Sequence, residues 1–123
     1  WCHSCGMEPE EQAKDEGDQA LAMGDLGGAE ACYRSSVTLK PDYAEGWHAL
    51  GMVLLKRGML EAAIQATNRA AELAPNDEMT WTSLSIMLAR ANRIHEAEAA
   101  VAKARIISWG GKIDGASKRP EGH

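Results

Sequence analysis

The residues with the clearest chemical potential are two cysteines close to the start of the 123-residue chain. Cys2 and Cys5 form a CxxC pair, which supplies two of the four ligands of a tetrahedral zinc site or the two thiols of a redox disulfide. No second pair follows, and no predicted strand precedes the motif. Three interpretations stay open: a remnant without function, a metal knuckle completed by another segment or chain, and a redox site.

Acidic side chains dominate the next stretch. The cluster consists of Glu8, Glu10, Glu11, Asp15, Glu16 and Asp18. Such a cluster is ordinarily a solvated helix face, and the alternative is a docking patch for a basic segment. No Ser/His/Asp arrangement, Gly-rich phosphate loop or pair of catalytic carboxylates is readable. The sequence therefore predicts a protein that is not an enzyme and needs no cofactor.

Charge and hydropathy disfavour two classes of partner. The net charge is −5, whereas a general nucleic-acid binder presents a basic face. No apolar run approaches the roughly 20 residues that span a membrane. The chain has three cysteines, an odd number, in a domain long enough for a real core. This favours a reducing compartment over a disulfide scaffold, so we expect a cytoplasmic location.

An internal repeat of thirty-four residues must position any functional side chain. Residues Trp47, Leu50, Leu54, Ala63 and Ala70 recur in order as Trp81, Leu84, Leu88, Ala97 and Ala104. In the other direction, Gly24 precedes Gly58 and Pro41 precedes Pro75 at the same shift. Such a period is typical of stacked helical hairpins, each of which cannot bury its apolar face alone.

Apolar stripes at helical spacing, separated by Gly or Pro stops, predict six helices. They cover residues 9–23, 28–39, 43–57, 60–73, 78–91 and 94–107. Asp42, with Glu45 three residues later, is predicted to cap the third helix. Gly51 and Ala63 are predicted where the two helices of one pair cross, because larger side chains would separate the axes. Asn92 stands where the earlier repeats have glycine, and asparagine tolerates a left-handed conformation.

The chain resembles the tetratricopeptide-repeat family over about four-fifths of its length. The second repeat carries Trp47, Leu50, Gly51, Ala63, Ala70 and Pro75 of the family pattern. The third keeps Trp81, Leu84, Ala97 and Ala104, but has Ser85 for glycine and Trp109 for proline. The first has Ala13 for tryptophan and Glu16 for leucine, and keeps Gly17, Ala29, Tyr33 and Pro41.

The resemblance implies an all-α fold, a right-handed α-solenoid of three helix-turn-helix repeats. We expect an unstructured CxxC segment at 1–8, a repeat domain at 9–109 and a disordered tail at 110–123. The repeats are expected at 9–43, 44–77 and 78–109.

Proteins of this family bind peptides or helices in a concave groove lined by the first helix of each pair. Here the concave groove would consist of Glu11, Lys14, Asp18, Leu21, Glu45, His48, Met52, Leu55, Met79, Thr82, Ile86 and Arg90. The apolar Met52, Met79 and Ile86 lie in its middle, and methionine adapts to varied partners. The alternative is that these three pack under the tail or against another copy. His48 is the histidine in a plausible pocket, and the simpler interpretation is an ordinary polar groove residue.

A more specific resemblance fails. Members that clamp the acidic C-terminus of heat-shock chaperones use Lys and Asn in the first repeat, Asn in the second, and Lys and Arg in the third. Lys14 fits this pattern. The other positions hold Asp18, Ala49, Met79 and Ser83. We therefore do not expect this carboxylate clamp.

The last helix has no following helix to cover its apolar side chains. These are Val101, Ile106, Ile107 and Trp109, a candidate assembly patch. The leading prediction is a non-enzymatic adaptor that binds a protein segment in the concave groove. The alternatives are a structural protein that assembles into homo-oligomers through this patch, and a metal or redox module at Cys2 and Cys5.

Overall fold

The computed structural model describes residues 8–111. Within that range the chain forms six helices and no strand. They are α1 (Pro9–Ala22), α2 (Leu26–Leu39), α3 (Ala44–Lys56), α4 (Leu60–Leu73), α5 (Glu78–Arg90) and α6 (Ile94–Ser108). Consecutive helices pack as the pairs α1–α2, α3–α4 and α5–α6, and each pair packs on the next. The predicted all-α solenoid of three helical hairpins is confirmed.

The tight turn inside each pair depends on one left-handed residue. Gly24 has φ 84°, Gly58 has φ 81° and Asn92 has φ 62°, each directly after the residue that caps the first helix. A side chain with a Cβ is strained in this conformation, and glycine and asparagine tolerate it best. The prediction for Asn92 is confirmed.

One predicted helix start and one predicted helix cap are wrong. The helix expected to start at residue 28 begins at Leu26, because Asp25 accepts a hydrogen bond from the Gly28 backbone N–H at 3.0 Å and caps it. The cap of α3 is Tyr43 rather than Asp42, and its side chain makes no capping bond. Asp77, at the corresponding stop before α5, does cap its helix through the Met79 N–H.

Small residues let the helices of each pair approach closely. A Cβ on Gly51 would clash with Thr67 Oγ1 and lie 3.2 Å from the Ala63 carbonyl oxygen. A Cβ on Gly17 would lie 2.6 Å from the ring of Tyr33. The predicted crossing at Gly51 and Ala63 is confirmed, and the same arrangement recurs in the first pair.

The main core lies between and within the pairs. Its largest buried members are Tyr33, Leu50, Leu54, Ile64, Met87 and Val53. Two half-buried tryptophans pack against this core at the junctions between pairs. Trp47 Nε1 donates to the Pro41 carbonyl at 2.8 Å, and Trp81 Nε1 donates to the Pro75 carbonyl at 2.7 Å. Each indole therefore ties a first helix to the proline turn that precedes it.

The first repeat replaces the missing tryptophan with polar contacts. Ala13 is buried in the tryptophan position. Ser36 Oγ donates to the Glu10 carbonyl at 2.8 Å, and this bond connects α2 to the first turn of α1. Glu10 itself is buried, with its carboxylate 3.9 Å from Lys40 Nζ. The interpretation of the acidic cluster as a wholly solvated face is therefore wrong for this residue.

Some predictions fall on residues that the structure does not describe. Cys2, Cys5 and residues 112–123 lie outside residues 8–111, so the CxxC interpretations and the extents of the two terminal segments stay predictions. No helix in the described part of the chain is long and apolar enough to cross a membrane.

Candidate protein-binding groove

The first helices of the three pairs lie side by side. Helix α3 contacts both α1 and α5, and these three helices carry all the predicted members of the concave groove. They come from successive turns of these three helices and are Glu11, Lys14, Asp18, Leu21, Glu45, His48, Met52, Leu55, Met79, Thr82, Ile86 and Arg90.

His48 lies half-buried at the centre of this face. Its Nε2 is 3.1 Å from Ser83 Oγ, a hydrogen bond that joins α3 to α5. Burial lowers the pKa of the imidazole below its usual 6.5; the Lys14 charge lowers it further, and Asp77 partly opposes both. At neutral pH the groove therefore holds a neutral histidine that is already hydrogen-bonded.

The α1 side of the groove is built from fixed charges. Lys14 Nζ contacts Asp18 Oδ2 at 3.0 Å, a pair one helical turn apart. The other carboxylate oxygen of Asp18 accepts a hydrogen bond from the buried Tyr33 hydroxyl at 2.5 Å. Burial, together with this bond and the Asp18 charge, raises the pKa of Tyr33 well above its usual range, so the phenol stays neutral. The Asp18 carboxylate is therefore held by two side chains and has little freedom to reorient towards a ligand.

Two further carboxylates lie where the first helices begin. Glu11 Oε1 accepts from the Glu8 backbone N–H at 3.4 Å, and Glu45 accepts from the Tyr43 hydroxyl at 3.2 Å. Burial, followed by the Glu45 charge, raises the pKa of Tyr43 to about 12. Both carboxylates remain exposed, and they make this edge of the groove acidic.

The apolar groove residues differ in exposure. Leu21, Met52 and Leu55 are half-buried and pack against the core. Met79 is 66% exposed and Ile86 is 47% exposed, both on α5. Thr82 and Arg90, on the same helix, are also exposed. The apolar surface available to a ligand is therefore concentrated on α5 rather than spread over the middle of the groove.

Sequence reasoning missed Ser83 as a groove residue. It was considered for the carboxylate clamp and set aside, yet it is the hydrogen-bond partner of His48. Residues 48 and 83 are thirty-five positions apart, one more than the repeat. This offset is the signal that could have found it, because facing side chains of adjacent first helices need not occupy identical repeat positions.

The described residues offer little for metal or thiol chemistry. No group of three or more His, Cys, Asp or Glu within residues 8–111 could hold a metal ion. Cys32 is a free thiol on α2. Burial, with smaller contributions from Glu16 and Asp25, raises its pKa, so it is a poor nucleophile at neutral pH.

A second surface lies at the far end of the stack. An open groove of about 480 Å³ runs between α5 and α6, which we call the end groove. It is lined by Ser85, Ile86, Ala89, Ile94, Ala97, Glu98, Val101, Ala102 and Arg105. Of the predicted assembly patch, Val101 lines this groove, Ile106 and Trp109 are exposed, and Ile107 is half-buried.

Six helices in three stacked hairpins, with a face formed by the first helices, define an α-helical repeat protein. The tetratricopeptide-repeat family model matches residues 14–78, which is more than half of the chain. The chain belongs to the tetratricopeptide-repeat family.

The sequence is similar to part of one curated protein, the protein O-mannosyl-transferase Tmtc3 of Drosophila melanogaster. The identity is 36% over 74 residues, which cover 60% of this chain and 8% of that protein. The chain thus spans a small fraction of this relative's length.

Several solved structures share the fold. The TPR2B domain of yeast Sti1 in its pHsp70 complex has a TM-score of 0.79 at 22% identity, and the match covers 83% of this chain and 82% of that chain. The second TPR of Spaghetti (RPAP3), bound to the HSP90 peptide SRMEEVD, has a TM-score of 0.78 at 17% identity. The match covers 81% of this chain and 93% of that chain. A chain of the CopN–Scc3 complex has a TM-score of 0.77 at 24% identity, and the match covers 85% of this chain and 61% of that chain.

Proposed function

We propose that this protein is a non-enzymatic adaptor that binds a partly apolar peptide or amphipathic helix of a partner protein in the concave groove. The observation that carries the proposal is the exposure of Met79 and Ile86 on α5, beside a polar centre that is already hydrogen-bonded. Exposed apolar side chains on a rigid surface favour a ligand that buries them.

The polar groups of the groove support binding by limiting its entropic cost. Asp18 is held by Lys14 and Tyr33, and His48 by Ser83. A surface ordered before binding loses less conformational entropy when a ligand arrives. The bound peptides in the structures of Sti1 and Spaghetti support the same use of this fold.

The charges on the groove favour a particular orientation of the ligand. Glu11 and Glu45 make the edge near the starts of α1 and α3 acidic, while Met79 lies at the start of α5. We expect a ligand with apolar anchors over α5 and basic side chains towards the other two helices. Charge complementarity of this kind sets register and rate of association more than affinity.

The test uses peptides selected from a random phage-displayed library on the full chain. Their affinities for wild type and for Met79→Glu are then measured by fluorescence polarisation. We expect about tenfold weaker binding to the variant, because a carboxylate replaces an apolar anchor.

Leu39→Glu is the matched control, since Leu39 is a similarly exposed apolar residue on α2, outside the groove. It should leave peptide affinity unchanged. Equal affinity for wild type and Met79→Glu would reject the concave groove as the binding site.

A further inference from the structure

The end groove has a filled counterpart inside the molecule. Each residue that lines the end groove has a counterpart thirty-four positions earlier, in the second repeat. There Ile64, the counterpart of Glu98, is 1% exposed, and Thr67, the counterpart of Val101, is fully buried. Helix α5 covers them: Thr67 Oγ1 donates to Met87 Sδ at 3.3 Å, and Met87 is fully buried. The repeat therefore builds a seat for a helix, and α5 occupies the seat of the second repeat.

The seat at the end of the stack is open among the described residues. Ile94 is 47% exposed and Val101 is 40% exposed, and both line the end groove. Trp109, one helical turn beyond Arg105, is 77% exposed. Isolated apolar side chains are ordinary on a surface, whereas several along one face of a helix are typical of an interface.

Two charges of opposite sign lie in this row. Glu98 and Arg105 stand where the second repeat has Ile64 and Ala71. They are seven residues apart, so two helical turns place them on the same face of α6, too far apart to pair with each other. Neither side chain forms an ion pair with any residue in the range 8–111. A partner that fills the seat must supply a base opposite Glu98 and an acid opposite Arg105.

We propose that a second copy of this chain occupies the end groove, in a twofold dimer with the two α6 helices antiparallel. When Val101 of one copy faces Ala102 of the other, Glu98 faces Arg105 of the partner twice. The same register places Ile94 opposite the partner's Trp109. An isologous interface requires this self-complementarity, in which each residue meets its counterpart in both directions.

The opposite end of the stack is a poor occupant for the seat. The residues of α1 that correspond to the buried Leu50 and Val53 are Glu16 and Gln19, both exposed. Docking α1 would bring the Glu16 carboxylate and the Gln19 amide into a seat that already holds the Glu98 carboxylate, which costs free energy unless all three find partners. The interface therefore closes on itself as a dimer instead of growing head to tail.

Sedimentation velocity over a range of concentrations tests the proposal on the full chain. We expect a monomer–dimer equilibrium. Glu98→Arg and Arg105→Glu should each weaken dimerisation by about tenfold or more, since each places like charges together at two symmetric contacts. The double variant exchanges both charges and should restore the wild-type dissociation constant.

The dissociation constants of the wild type, the two single variants and the double variant distinguish this dimer from any other occupant of the end groove. Restoration in the double variant is specific to a self-complementary antiparallel pair, so a double variant as weak as either single variant overturns the proposal. A strict monomer at all concentrations overturns it too.

The proposed peptide binding in the concave groove and the proposed dimer at the end groove can be tested separately. Met79→Glu should leave dimerisation unchanged, because Met79 does not line the end groove. Loss of peptide binding in Met79→Glu with an intact dimer separates the concave groove from the end groove. Circular dichroism confirms that each variant remains folded, as expected for substitutions at exposed positions.

Discussion

The second and third repeats form the same helix seat, but only one of the two seats is covered by another helix. In the second repeat the seat is covered by α5, and its members Ile64, Thr67 and Ala71 are buried. In the third repeat the corresponding Glu98, Val101 and Arg105 are exposed. The helices around both seats begin at corresponding positions and end within one residue of them, so the backbone is nearly the same, while the side chains and the neighbouring helix differ. Burial in a stacked repeat is a property of the next hairpin as much as of the residue itself.

The comparison also separates framework from surface. Where α5 crosses α6, Leu84, Leu88 and Ala97 keep the family pattern and are buried as in the second repeat, whereas Ser85 replaces the glycine. The positions that face away from the stack change, and two of them become charged. A terminal seat lined only by apolar side chains would expose a large apolar patch to water. The two charges reduce that patch without disturbing the hairpin beneath it.

The largest expected difference between the seats comes from truncating their central side chains. Ile64→Ala should lower the free energy of unfolding by about 3 kcal/mol, because it leaves a cavity beneath α5. Glu98→Ala, the matched change in the open seat, should shift it by less than about 0.5 kcal/mol. Urea denaturation of both variants at protein concentrations where the chain is monomeric measures the contrast. A similar loss of unfolding free energy in both variants would contradict the conclusion that one seat is filled and the other is open.

The helix crossings beneath the seats should also respond differently. Gly51→Ala should destabilise by about 1–3 kcal/mol, because its Cβ would clash with Thr67 and approach the Ala63 carbonyl. Ser85 stands at the same position of the third pair and already has a Cβ. Its Oγ donates to the Thr82 carbonyl at 2.7 Å. Ser85→Ala should cost well under about 1 kcal/mol. A stable Gly51→Ala protein in thermal melts would show that the α3–α4 crossing has room to relax.

The tryptophan tethers test whether the two junctions between pairs are equivalent. Trp47→Phe and Trp81→Phe each remove one indole bond to a proline carbonyl, and each should cost about 1 kcal/mol. Trp81 carries an added contact, since Lys103 Nζ lies 4.5 Å from the centre of its ring. Lys103→Ala should therefore cost about 0.5 kcal/mol more than a neutral surface change. Chemical denaturation with Lys56→Ala as a control measures this increment.

The smallest expected effect is the pH dependence of the α3–α5 contact. Burial lowers the pKa of His48 in the folded state, so the unfolded chain takes up its proton first as the pH falls. The stability that depends on neutral His48 is present above its usual pKa of 6.5 and is lost as the pH falls from there towards the folded pKa. Melting temperatures between about pH 5 and about pH 7.5 should fall less on acidification in His48→Gln than in wild type. His95→Gln, at an exposed position on α6, is the control, and identical pH profiles for all three proteins would contradict this.

Periodicity predicted the elements well for a physical reason. A thirty-four-residue repeat with Gly or Asn at the turn and Pro between pairs restricts the backbone locally, and the three left-handed turn residues follow from that restriction. Helix starts were harder to predict because several polar residues compete to cap each helix. Asp25 caps a helix that starts two residues earlier than predicted, and Asp42 does not cap α3.

The family resemblance implied the predicted members of the concave groove, but it did not predict which of them would be exposed or hydrogen-bonded. Spacing placed Met52, Met79 and Ile86 together, and only packing distinguished the half-buried Met52 from the two exposed residues on α5. The bond between His48 and Ser83 joins residues thirty-five positions apart, so the repeat shift of thirty-four does not pair them directly.

By itself, the sequence determined the number of hairpins, the turns between their helices and the small residues at their crossings, because each depends on contacts within one repeat. The tertiary structure alone decided which seat is filled, which groove side chains reach solvent and which polar groups are already paired. Those properties depend on the hairpin that comes next, and Ile64 and Glu98 acquire their opposite surroundings only when the stack is assembled.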